Sequence, residues 1–141
     1  MTEAPITKHP FDLEARTLKF ARAVIRLCRG VKSDTVSREI VSQLVRAAGS
    51  VGANYREAND ALSKKDFLHR IRITRREAKE AHYWLELLVE ADPARDAEVA
   101  GLRGQSTNKL GIAVDAMHRR ADEARAKAAA SSMKADTLAI V

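Results

Sequence analysis

Two short patterns have the spacing of half a metal site: Asp66-x-x-His69 and Asp115-x-x-His118, each a carboxylate and an imidazole one turn apart on a helix. A di-metal bundle site also needs inward carboxylates from two further helices. Only Glu14, with Glu39 or Glu57, stands where such ligands are wanted, and their placement does not converge. His69 falls in a row of cations, and His9 and His82 have no partner at ligand spacing. Nucleophilic chemistry has as little support. The single cysteine, Cys28, lies in an apolar row, the setting of an inert buried thiol. No serine, histidine and aspartate are spaced as a triad, and Gly49 and Gly52 do not make a phosphate-loop signature. No catalytic residue, metal or cofactor is therefore assigned, and the chain reads as non-enzymatic.

Charge is the stronger signal. The 141 residues carry a formal net charge of +6. From Arg16 to His82 there are sixteen Lys/Arg against seven Asp/Glu, so the excess sits in the first part of the chain. Lys19, Arg22, Arg26 and Arg29 recur at three and four spacing, as do Lys65, His69, Arg72, Arg76 and Lys79. On helices these are two basic stripes, and the eight Lys and Arg among them are the candidate nucleic-acid contacts. With 4% aromatic residues there is little to stack single-stranded bases on. Backbone-directed contact with structured RNA or duplex DNA is the expected mode. The competing reading is a solvated face, with Arg72, Arg75, Arg76 and Lys79 partly engaged by Glu77 and Glu80. A second candidate surface holds Glu77, Glu80, Tyr83, Trp84 and Leu87, expected to meet a neighbouring subunit. Arg46 or Arg56 of that neighbour would pair with Glu80. Alternatively, Trp84 closes the chain's own core.

The elements that must position these residues are helices. Alanine, leucine, arginine and glutamate dominate, with six glycines and three prolines, an all-α composition. Residues 1–10 read as a loose arm. Asp12 caps a first helix ending at Gly30, with two adjoining apolar rows: Phe11, Leu18, Ala21, Ile25, Cys28 and Leu13, Phe20, Val24, Leu27. Ser33, Asp34 or Thr35 caps a second, with Val36, Ile40, Leu44, Ala47, Val51, Tyr55, Ala58 and Leu62 inward. Gly49 and Gly52 in its middle call for a close neighbour, or for a kink between Gly49 and Asn54. Ser63 and Asp66 form a variant capping box, with Leu62 and Phe67 packing across the helix start. The third helix runs to about Glu90 on a core row of Phe67, Ile71, Thr74, Ala78, Ala81, Leu85 and Leu88. Asp92-Pro93 opens a fourth, in pieces to Leu102 and from Ser106 to about Ala128, with Leu110, Ala113, Val114, Met117, Ala121 and Ala124 inward.

Four such helices on short connections are satisfied by an antiparallel up-down-up-down four-helix bundle over 11–128, followed by a tail at 129–141. One cysteine excludes an internal disulfide and fits a reducing cytoplasm. The N-terminus lacks the pattern of a signal peptide, and no membrane contact is expected.

Three segments together resemble a known family: Gly-x-x-Gly-Ala-Asn-Tyr-Arg-Glu-Ala from Gly49, Ser-x-Lys-Asp-Phe from Ser63, and Tyr-Trp-Leu-Glu-Leu-Leu from Tyr83. The chain is similar there to the bacterial four-helix-bundle proteins of the large-subunit rRNA intervening-sequence type, related to accessory proteins of diversity-generating retroelements. The resemblance implies a bundle assembling into a ring-like homopentamer, and an association with RNA in some relatives. The expected protein is thus a non-enzymatic homo-oligomer with itself and structured RNA as partners. The alternative is a scaffold that docks a protein partner without nucleic acid.

Overall fold

The structure, a computed structural model, describes residues 12–103 and 108–139, and of 108–114 the backbone alone. The described residues form helices α1 (Leu13–Arg29), α2 (Thr35–Asn59), α3 (Lys64–Ala91), α4 (Asp96–Leu102) and α5 (Asn108–Ala139), with a 3-10 turn at Pro93–Arg95 before α4. The chain is all-helical over these residues. None of its described helices is long and apolar enough to cross a membrane. The expected arm at 1–10, Phe11, and the inward side chains of Leu110, Ala113 and Val114 lie outside the described residues.

Each of the first three helices begins on a side-chain cap that satisfies one of its orphan N–H groups. Asp12 accepts from the Ala15 N–H at 3.2 Å, Asp34 from Ser37 at 2.7 Å and Ser63 from Asp66 at 3.1 Å. The hydrogen bond from the Ser37 backbone N–H holds the Asp34 carboxyl below its usual range. α1 does stop at Gly30, but in a right-handed conformation rather than the left-handed one that glycine favours. The glycine matters there for space, since a Cβ would lie 3.1 Å from Nη1 of Arg95.

Neighbouring helices run antiparallel. Glu14 meets Asn59 and Thr17 meets Gly52 between α1 and α2. Arg46 meets Glu80 and Glu57 meets Arg70 between α2 and α3. Arg75 meets Asp115 and Arg72 meets His118 between α3 and α5. The α2–α3 pairing is the most extensive. Their interior is apolar: Phe20, Val24 and Leu27 of α1, Leu44, Ala47 and Ala48 of α2, and Ala81, Leu85 and Leu88 of α3 form one cluster with Val99 of α4. A second, near the α2–α3 turn, joins Leu13, Val51, Tyr55, Ala58, Ile71 and Ala78, with Phe67 and Met117 against it.

Several expectations are corrected. α2 is continuous as helix through Gly49–Asn54, so it does not break there. Gly52 has its close neighbour, because an added Cβ would stand 3.1 Å from Thr17 Oγ1 and 3.3 Å from its Cβ. Gly49 has none within 4 Å. Val36 and Leu62 leave the core row: Leu62 lies beyond the end of α2, fully exposed, and makes no staple with the half-buried Phe67. Leu68, unassigned from the pattern, is buried in α3. The fourth segment opens differently too. Asp92 makes no side-chain cap there. Its nearly buried carboxylate instead accepts the Lys32 N–H at 3.0 Å, tying the end of α3 to the α1–α2 connection. Finally, α5 does not stop near Ala128 but continues as helix to Ala139, exposed throughout from Asp122.

Candidate functional site

Three rows along α3 meet three environments. Leu68, Ile71, Thr74, Ala78, Ala81, Leu85 and Leu88 are buried. Ile73, Glu77, Glu80, Trp84 and Leu87 are half-buried, and Lys65, His69, Arg72, Arg76 and Lys79 are exposed. On α1, Lys19, Arg22, Arg26 and Arg29 are likewise exposed, on the side away from Leu13, Thr17, Phe20, Val24 and Leu27. Both basic stripes therefore reach solvent as rows.

Of the two carboxylates expected to neutralise them, Glu80 is engaged elsewhere. Glu80 Oε1 accepts from Arg46 Nη2 at 3.1 Å and from the Trp84 indole at 3.3 Å, linking α2 to α3. The Glu80 partner foreseen across subunits thus lies in its own chain. Glu77 keeps one carboxylate oxygen buried without a hydrogen bond among the described residues. Arg75 pairs with Asp115 at 2.7 Å, and Arg70 with Glu57 at 2.6 Å. Among the described residues, no ion pair involves Lys19, Arg22, Arg26, Arg29, Lys65, Arg76 or Lys79. Arg72 differs: its Nε donates to His118 Nε2 at 3.1 Å, and His118 Nδ1 lies 3.1 Å from Asp122 Oδ2.

The aromatic surface divides. Tyr83 is 55% exposed and stands edge-on to Trp84, with ring centroids 5.4 Å apart. Trp84 packs partly buried against the chain's own core, and Leu87 is half-buried beside it. Leu18 and Ile25 of α1 and Val45 of α2 are also 37–44% exposed. The α1 apolar face was legible as too broad for one neighbour, but nothing in the pattern told which of its two rows the chain would leave uncovered.

One of the two pairs considered for metal binding is held by other partners. Asp115 and His118 face guanidinium groups, which a metal ion would have to displace. Burial pushes the Cys28 thiol up to about 11, so it stays protonated and poorly nucleophilic near neutrality.

Comparison with known proteins adds a family. No curated protein matches the chain. A crystal structure of a protein of unknown function from the S23 ribosomal protein family of Bacteroides thetaiotaomicron VPI-5482 is similar, with a TM-score of 0.65 and 26% sequence identity. The match covers 74% of this chain and 96% of that one. A family model described as 23S rRNA-intervening sequence protein matches residues 11–111, the span of α1 to the start of α5. With most of its length matched in this way, the chain belongs to the 23S rRNA-intervening sequence protein family.

Proposed function

We propose that this protein is a non-enzymatic homo-oligomer whose basic surface binds nucleic acid, structured RNA ahead of DNA, in the cytoplasm. In this reading α1, α2, α3 and the α4–α5 segment are the four members of an up-down-up-down bundle, and copies of it assemble as a ring-like pentamer. The observation that carries the binding is the exposure of seven stripe cations with no carboxylate partner among the described residues. Cations left unneutralised in rows are what a phosphate backbone selects, because each contact releases condensed counterions. The family's description, which speaks of 23S rRNA, favours RNA as the polyanion. Exposed Leu18, Ile25, Val45 and Tyr83 support self-association, since large apolar side chains left in water favour a covering surface. Tyr83, Trp84, Glu77, Glu80 and Leu87 remain the proposed contact on α3.

The test is a titration of nuclease-treated protein into labelled hairpin RNA and duplex DNA over a range of salt. Binding whose log affinity falls with log salt by about 0.9 per phosphate neutralised supports the reading. Absence of binding at low salt overturns it and turns attention to protein partners.

A further inference from the structure

The two stripes do not share a face. At about 100° per residue, Lys19, Arg22, Arg26 and Arg29 each fall more than about a right angle around α1 from its buried row. The same holds on α3 for Lys65, Arg72, Arg76 and Lys79 against the buried row. Both buried rows enter one interior: Phe20, Val24 and Leu27 share a cluster with Ala81, Leu85 and Leu88. Helices that turn inward to a common core present their opposite sides in diverging directions. Between them lies α2, packed on both, whose outward side presents the exposed Ser42, Val45, Gly49 and Ala53 together with two exposed cations, Arg38 and Arg56. Each stripe is long enough to follow several phosphates, about 15 Å from Lys19 to Arg29 and about 21 Å from Lys65 to Lys79 at 1.5 Å per residue. A stiff duplex laid along one stripe leaves the other in solvent.

We infer that a single chain carries two separate polyanion sites and holds two duplex RNA segments at once, bridging them. This rests on the nucleic-acid reading and adds the second, independent face.

Two hairpin RNAs, one carrying a donor dye and one an acceptor, are mixed with full-length protein, and binding is followed separately by anisotropy. Bridging gives energy transfer that rises with protein and falls again when protein is in excess, as each RNA acquires its own chain. The variants Arg22→Glu with Arg26→Glu, and Arg76→Glu with Lys79→Glu, change only exposed side chains. Each is expected to keep its helicity and, at saturation in the anisotropy titration, to take up one hairpin per chain where the wild type takes up two. Wild-type binding without transfer overturns the bridging and leaves the nucleic-acid reading standing. A variant that still takes up two hairpins per chain, or a wild type that takes up only one, overturns the two-face assignment. If wild-type protein binds neither hairpin at low salt, both readings fall together.

Discussion

The seam between α2 and α3 and the seam between α3 and the described side chains of α5, from Asp115 onward, are built by opposite means. In the first, Leu44, Ala47 and Ala48 face an interior shared with Ala81, Leu85 and Leu88, all essentially inaccessible to water. Alanines keep the two backbones close, and each leucine buried there contributes about 1.5–3 kcal/mol. In the second, side chains of α5 reach α3 through Arg75–Asp115 and Arg72–His118, with Met117 as an apolar contact. Arg75 and Asp115 are each 43% exposed, and pairs like theirs are worth about 0–1 kcal/mol. The contrast teaches which part is body and which is attachment. The family likeness follows the same division, ending at residue 111 near the start of α5.

The strongest attempt to break this contrast is Leu85→Ala. A fully buried leucine truncated in the α2–α3 interior is expected to lower the unfolding free energy by about 2–5 kcal/mol in urea titrations. A loss below about 1 kcal/mol would mean that the interior is looser than described.

Next comes a pair of glycines three residues apart in α2. Gly52→Ala presses a methyl onto Thr17 and should destabilise by about 1–3 kcal/mol. Gly49→Ala meets open space and should stabilise the isolated chain by about 1 kcal/mol, the difference in helix propensity. Opposite signs in thermal melts sharpen the assignment of inner and outer faces. Destabilisation by both would place a neighbouring chain against Gly49.

Cys28 tests how dry the apolar side is at the end of α1. Its thiol pKa rises from 9.0 to about 11 on burial. Between those values the unfolded chain has lost a proton that the folded chain keeps, so this stabilisation is present below about pH 9 and is lost as pH rises toward 11. Urea midpoints of wild type should therefore fall more steeply than those of Cys28→Ala between pH 9 and pH 11. Parallel pH profiles would show that the thiol is no better shielded than the second seam.

The smallest effect belongs to that second seam. A double-mutant cycle on Arg75 and Asp115 should return a coupling of about 0.2–1 kcal/mol. A coupling several times larger would promote α5 from attachment to body.

Much of the helical skeleton was legible because its signals are local. Asp12, Asp34 and Ser63 are caps through side-chain hydrogen bonds to N–H groups three residues away, and the row Ile71, Thr74, Ala78, Ala81, Leu85, Leu88 is set by helical period alone. The stripe residues were legible for the same reason, as cations at three and four spacing that proved to be exposed. Illegible were contacts between residues far apart in the chain. Asp92, which looked like a cap, serves Lys32, and Glu80, whose arginine partner was expected on a neighbouring subunit, finds Arg46 in its own chain.

What the amino-acid order determined by itself is therefore an all-helical chain with apolar rows and two basic rows, since periodicity and capping act within a few residues. Which apolar row is covered, which carboxylates are spent inside the chain, and that the two basic rows diverge were decided only by tertiary packing. Those outcomes depend on how whole helices are turned about a shared core, and no local spacing records that rotation.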